Sequence, residues 1–366
     1  MQKTVFILTS ESPETLGGVE HFVREMMRGL NERDYLTEVF HRGNSEPLWL
    51  SKKTSRLGKK LAGTLLGYWI GKNAQRNMRE DVVAIISNSD VGFYPLHCST
   101  PFRRIHFYHG TYRGQSEAIR HIIRYSGYLY LKWWNSMVLE RLSGRGKVIL
   151  TCSEQVCDEV FRYFRYQSSA MWCPINTERF RLRDRVACRA ALHLPESEPI
   201  GLFVGSMHPM KGFPIVRSLI DSLPEVRWVL ALRGELPNDG TARSNVTILK
   251  DVAHDQIPML YGAADFSLCP SLYEPFGYVV AESLSCGTPV IASPGGASRL
   301  FLREPPLDRL LVKNGDSANG FLAAVREVLR DPGLYRRAVI EQVGPKIQEF
   351  LATENWWHRF FDAAKL

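Results

Sequence analysis

The chain has 366 residues, 45% of them apolar and 11% aromatic, which excludes a disordered polymer and exceeds the length at which one hydrophobic core usually stops growing. Two domains are therefore expected. The longest apolar run, LAGTLLGYWI at 61–70, spans only ten residues, which excludes an ordinary membrane-spanning helix. The net charge is +8, and it is unevenly spread. Residues 51–80 carry Lys52, Lys53, Arg56, Lys59, Lys60, Lys72, Arg76 and Arg79 against Glu80, a net of +7. Residues 101–147 carry nine cations against Glu117 and Glu140, again +7. The positive field belongs to the N-terminal half, a statement about partners and not about fold.

In chain order, the start MQKTVFILTSESPET reads as a first strand and not as a signal peptide, because charges and a proline follow its short apolar run at once. GGVEHFVREMMRGL follows as a glycine-opened amphipathic helix, and LTEVFHRG as the next strand. DVVAIISNS, RRIHFYHGT and KVILTCS are short β-rich runs, the last leading into the helix EQVCDEVFRYF. The charged stretch ERFRLRDRVACRAALHLPESEP at 178–199 carries the domain boundary, and IGLFVGSMHPMKGF opens a second alternating half. There VRWVLALRG, NVTILKDV, FSLCPS, TPVIASPGG and DRLLVKNGD are strands or strand ends with helices between. The alternation predicts an α/β protein of two doubly wound, Rossmann-like domains facing each other across a cleft, with ligands at the carboxyl ends of the strands. Seven cysteines without CxxC spacing fit buried thiols of a reduced, cytoplasmic protein better than a disulfide framework or a zinc site.

The segment CPSLYEPFGYVVAESLSCGTPVIAS concentrates the chemistry. A strand ends near Ser271, Pro275 and Gly277 build a turn, and a helix runs from about Tyr278 to Cys286. A helix start offers unpaired N–H groups and a positive dipole end, which suit a phosphate. Glu274 precedes the turn and Glu282 lies about one turn inside the helix. Two carboxylates repel phosphate, so they fit the hydroxyls of sugars. The paired carboxylates of a hydrolase are the competing chemistry, and a solvated Glu with a capping Glu is the bland one.

This E-x7-E stretch with PFG inside it, followed by CGTPVIASPGG, resembles the donor-site signature of retaining glycosyltransferases of family 4, with the two-domain GT-B fold. LGGVEHFVREM, FYHGT, VILTCSE, CPINTERF, FVGSMHPMKG and LYGAADFSLCPSLYEPFG match further family segments in the expected order. The resemblance implies a donor nucleoside diphosphate sugar, UDP before GDP or ADP, with no metal and no further cofactor. It implies that Glu282 binds ribose, that Glu274 binds the donor sugar, and that the N–H groups of Phe276, Gly277 and Tyr278 hold sugar and phosphate. Lys211 neutralises the departing diphosphate, Gly205 belongs to the same loop, and Gly17 and Gly18 let backbone approach phosphate. His109 orients substrate by hydrogen bonding. Ser206 stands where the family commonly has an arginine after that loop glycine, and Arg233 is the nearest cation to replace it.

The same resemblance assigns residues 1–185 to an acceptor-side domain, onto which a final helix at 346–366 packs back through Trp356, Trp357, Phe360 and Phe361, and residues 197–345 to the donor domain. A glycan or glycolipid acceptor is expected, and an anionic membrane surface met through 51–80 and 101–147, where Ile119, Ile122, Ile123, Ser126, Tyr130, Trp133 and Met137 recur at near-helical spacing. A core-packed helix with solvated arginines is the plainer alternative. Nucleic acid is not an expected partner. The location expected is the cytoplasm or the inner face of the membrane. A sugar-nucleotide epimerase of the same architecture, or a silent nucleotide-sugar binder or scaffold, stands as the alternative.

Overall fold

The computed structural model describes residues 2–15, 17–45, 56–234, 243–313 and 317–366. The chain forms two compact units, one of residues 1–174 with 356–366 and one of residues 175–355.

The first unit is built on a six-stranded parallel sheet of order β2-β1-β3-β4-β5-β6. Its strands are β1 Thr4–Leu8, β2 Leu36–Phe40, β3 Val82–Asn88, β4 Arg103–Tyr108, β5 Val148–Thr151 and β6 Ser169–Ala170. All five residues of β1 are buried, as expected of a central parallel strand covered on both faces. The helix α1, Gly18–Asn31, buries Phe22, Val23, Met26 and Leu30, a one-face spacing of a 3.6-residue period. Helix α2 is Arg56–Arg76, and Lys52 and Lys53 of the basic stretch lie outside the described residues. Helix α3, Glu154–Phe164, is capped by Ser153, whose side chain accepts from the Val156 N–H. The C-terminal helix Thr353–Ala364 buries Trp356, Trp357 and Phe360. The Trp356 indole N–H donates to the carbonyls of Met171 at 2.8 Å and Trp172 at 2.6 Å. Gly29 of α1 leaves the space that the Trp357 ring fills.

The apolar series at 119–137 does not form one stripe. The chain makes short helices at Tyr112–Ala118 and Tyr125–Leu129, then a π-helical run at Tyr130–Glu140. Tyr128 is buried in the second short helix, and within the wider π-helical run the buried line falls on Asn135, Ser136, Leu139 and Glu140. Tyr125, Trp133 and Trp134 are left 66%, 57% and 41% exposed, so a 3.6-residue period cannot place them.

The second unit carries a five-stranded parallel sheet of order β11-β10-β7-β8-β9. The strands are β7 Ile200–Gly205, β8 Arg227–Leu232, β9 Val246–Lys250, β10 Phe266–Cys269 and β11 Val290–Ala292. DRLLVKNGD departs from its expected strand: Leu307–Leu310 is a 3-10 turn, and Leu311 makes a single bridge to Ala292. The charged stretch at 178–199, read as carrying the domain boundary, lies within this unit, which begins at Ile175. Phe180 is buried in a core with Ile200, Leu202, Val229 and Tyr261. Arg189 donates to Asp265 at 2.7 Å and to the Ala263 carbonyl at 2.9 Å. Asp265 also accepts from the Ile200 N–H at 2.8 Å. A buried arginine is tolerated here because its donors all find acceptors, and composition alone does not reveal that.

Candidate active site

The expected site residues fall into two sets, one per unit, each at the carboxyl edge of its sheet, where doubly wound folds bind ligands. In the second unit, β7 ends at Gly205 and the chain passes through a 3-10 turn, Pro209–Lys211, into α4, Phe213–Ser222. Gly212 joins turn to helix at φ +72°, where a Cβ would collide with the Pro270 carbonyl. The Leu272 N–H donates to the Met210 carbonyl at 2.9 Å. The 206–212 loop and the loop after β10 are thereby fastened together.

That fastening sets Lys211 against Glu274. Its Nζ lies 2.9 Å from Glu274 Oε2, and the neighbouring carboxylate raises the Lys211 ammonium above its ordinary pKa despite burial. Burial, with the Glu274 charge second, pushes the nearby Cys269 thiol up to about 12, so it is no nucleophile near neutral pH. Arg233 follows β8 directly. Its N–H donates to the Gly205 carbonyl at 2.9 Å, and its charge is felt at Lys211.

Helix α5 is Ile257–Ala263, and Gly277, at φ +92°, opens helix α6, Tyr278–Ser285. The first-turn amides and positive dipole end of this helix therefore begin at the Phe276–Gly277–Tyr278 corner. Glu282 is 6% exposed. The Tyr261 hydroxyl donates to its Oε2 at 3.3 Å, and its Oε1 lies 3.3 Å from His254 Nε2. Burial, then the Glu282 charge, holds the Tyr261 phenol well above its ordinary pKa, so it stays a donor. Arg179 Nη1 lies 3.1 Å from His254 Nδ1. Arginine can only donate, so Nδ1 accepts and Nε2 carries the hydrogen that points at Glu282.

The turn is held from behind by helix α7, Gly296–Phe301. The Gly296 N–H donates to the Glu274 carbonyl at 3.0 Å. A Cβ on Gly295 would stand 2.5 Å from that carbonyl oxygen, and one on Gly296 would stand 2.5 Å from the Phe276 carbonyl oxygen.

In the first unit, Gly17 and Gly18 join β1 to α1. Gly17 has φ −175°, extended backbone that any residue adopts, and a Cβ there would meet only the Glu20 side chain. His109 follows β4. Asn88 donates from Nδ2 to the Leu8 carbonyl at 3.0 Å, which turns its Oδ1 toward His109 Nε2 at 2.9 Å. His109 therefore donates from Nε2, and its Nδ1 is the acceptor. The ring stacks on Phe107 at 4.7 Å and meets the edge of Phe22 at 4.7 Å.

The sequence left Tyr261, His254, Arg179, Asn88, Gly295 and Gly296 without roles. The two glycines stood within the quoted SPGG motif. The others are single residues, Arg179 and His254 being 75 positions apart, and carry no local signal. Among the described residues no group of three His, Cys, Asp or Glu side chains could hold a metal, and no helix is long and apolar enough to cross a membrane.

Residues 16–179 match the family model described as Glycosyltransferase Family 4, and residues 184–343 that described as Glycosyl transferases group 1. The D-inositol 3-phosphate glycosyltransferases of Mycobacterium tuberculosis and Mycobacterium bovis are 33% identical over 168 residues, 43% of this chain and 35% of theirs. The match thus spans about a third of the length of these curated relatives. Among solved structures, sucrose-phosphate synthase from Thermosynechococcus elongatus superposes with a TM-score of 0.79 at 20% identity, covering 99% of this chain and 98% of that one. Anabaena HepE, in complex with UDP and glucose, gives 0.71 at 16% identity with both chains fully covered. With two parallel-sheet units and these neighbours, the chain is a GT-B-fold protein composed of a Glycosyltransferase Family 4 domain and a Glycosyl transferases group 1 domain.

Proposed function

We propose that the chain transfers a sugar from a nucleoside diphosphate sugar, UDP before GDP or ADP, to a hydroxyl acceptor with retention of anomeric configuration. The observation that carries this reading is the Lys211–Glu274 pair beside the start of α6, with Glu282 one turn further in. Charge develops on the departing diphosphate, and a fixed cation with a helix start stabilises it without metal. Arg233 supplies the second cation in place of Ser206. Glu282 takes ribose hydroxyls, and Glu274 takes donor-sugar hydroxyls once the diphosphate draws Lys211 away. The N–H groups of Phe276, Gly277 and Tyr278 hold sugar and phosphate. Gly17 and Gly18 meet phosphate, His109 orients a hydroxyl, and a leaving phosphate oxygen accepts the acceptor's proton. HepE, of like fold, binds UDP and glucose, which favours UDP.

The acceptor is a glycolipid or lipid-linked glycan met at an anionic membrane surface. Exposed Ile122, Tyr125, Trp133 and Trp134 beside Arg120 and Arg124 support this, since aromatics and cations together favour such interfaces. The test of the donor is thermal unfolding with UDP, GDP, ADP and CDP, without metal. A ligand at a hundred times its dissociation constant stabilises by about 2.7 kcal/mol, and the nucleotide that shifts the transition identifies the donor class. Product configuration by NMR then tests retention. No shift with any nucleotide removes the proposal.

A further inference from the structure

Within the first unit a cavity of about 330 Å³ lies between the loop after β3 and the segment entering β5. Its walls are apolar and aromatic, with Phe93, Tyr94, Phe102 and Leu142 among them, while its charged lining residues are Arg104, Arg145 and Lys147. Among the described residues no carboxylate lines it. None of its lining residues belongs to the set assigned to donor, acceptor or phosphate.

Lys147 is the centre of this arrangement. Its Nζ donates to the Gly92 carbonyl at 2.6 Å and to Ser87 Oγ at 3.0 Å. Among the described residues neither Lys147 nor Arg104 nor Arg145 has an acidic partner. Arg104 donates to the Leu96 carbonyl at 3.1 Å and lies over the Phe102 ring at 5.0 Å. Behind the amine, Ser87 Oγ is 2.9 Å from Nδ1 of the fully buried His106. Gly92 completes the cradle, since a Cβ there would stand 2.7 Å from the Lys147 Nζ. A half-buried cation in an apolar wall normally comes with its counterion; here neutral dipoles and two further cations face it.

We propose that this cavity binds a small amphiphilic anion, a carboxylate or phosphate monoester on a short apolar body, with Lys147, Arg104 and Arg145 around the head and the aromatic wall around the body. The volume falls at the low end of small-ligand sites, which fits a single short chain or ring. Burial, and then the Arg104 charge, lowers the free Lys147 ammonium to about 7. Burial and the Lys147 charge keep His106 neutral. A bound anion favours the charged amine, so binding above pH 7 takes up a proton.

The probes are octyl phosphate, octanoate, octanol and inorganic phosphate, titrated calorimetrically into the intact chain at pH 7.5 in two buffers of different ionisation heat. Octyl phosphate or octanoate should bind at least about tenfold more tightly than octanol or phosphate, with net proton uptake. Whichever of the two binds better identifies the head group. Lys147→Met removes a half-buried charge and keeps the stem, so it should fold; it should abolish the uptake and weaken the anionic amphiphile about tenfold or more. Arg145→Ala, at the exposed rim, should weaken it severalfold with the unfolding transition unchanged. Equal binding of octanol, undiminished binding by Lys147→Met, or no binding of either anionic amphiphile overturns the proposal.

Discussion

Lys211 and Glu274 sit 2.9 Å apart as an ion pair, joined by two loops that the Leu272–Met210 hydrogen bond fastens. The proposed diphosphate therefore competes with Glu274 for Lys211. Lys211→Met should weaken UDP about thirtyfold or more, the value of a charge-assisted contact. Glu274→Gln, which frees the ammonium, should leave UDP affinity equal or higher while turnover drops about a hundredfold. Calorimetry with UDP and steady-state rates read the two effects. A parallel loss of UDP affinity in both variants contradicts this division of roles.

The raised Lys211 pKa also fixes a pH expectation. A cation whose folded value lies above its unfolded one adds stability that is fully present below the unfolded value, about 10.5, and fades as pH climbs through the higher folded value. Titration of Lys211 should leave stability and UDP affinity flat between about pH 7 and 9. A fall in UDP affinity across that window would place another group at the diphosphate.

Glu282 is braced by Tyr261 and by His254, and Arg179 fixes the His254 tautomer. Glu282→Ala should weaken UDP about tenfold or more. His254→Ala should weaken it about fivefold, the net worth of one ordinary hydrogen bond, as the 3.3 Å separation suggests. Pyrophosphate, which lacks ribose, should bind all three proteins alike. An equal loss of UDP and pyrophosphate in Glu282→Ala would assign that carboxylate to the loop's architecture and not to ribose.

The buried Arg189–Asp265 pair, with Arg185 as a second partner of Asp265, predicts an asymmetric stability effect. Removing the Asp265 charge strands the buried Arg189, so Asp265→Asn should cost about 3 kcal/mol, whereas Arg189→Met leaves Asp265 with Arg185 and the Ile200 N–H and should cost less. The double variant should cost clearly less than the two together. Urea midpoints followed by circular dichroism compare the three, read as shifts of whichever transition moves, since a two-unit chain need not unfold in one step. Additive losses would mean that the two charges do not depend on each other.

The alternation of β-rich and amphipathic runs was legible because a covered parallel sheet needs both. EQVCDEVFRYF spans the observed helix Glu154–Phe164 in full, and the short runs around β1, β3, β4 and β7 coincide with strands. The turn at Glu274–Gly277 was legible because proline and glycine mark the backbone directly. Two features escaped. The 178–199 segment reads as a domain boundary because it is charged, and only the fold shows Arg189 reaching Asp265 from 76 residues away. The 119–137 series assumed a 3.6-residue period that the π-helical turn at Tyr130–Glu140 does not keep. Bracing residues such as His254 were invisible for a related reason: their chemistry depends on partners distant in sequence.

Two glycines separate architecture from ligand approach. Gly296 has its would-be Cβ against the carbonyls of Pro275 and Phe276, backbone atoms that cannot swing aside. Gly296→Ala should push the Glu274–Phe276 turn outward, lower the unfolding midpoint, and cut turnover about a hundredfold, since displacements near 1 Å at a reacting site have that effect. Gly17 differs. Its φ of −175° suits any residue, and a Cβ would meet only the flexible Glu20 side chain. Gly17→Ala should therefore leave the midpoint unchanged. If donor phosphate approaches that backbone closely, the same variant should still bind the nucleotide sugar about tenfold more weakly. Unchanged affinity with an unchanged midpoint would make Gly17 an ordinary strand-to-helix joint and remove it from the proposed site.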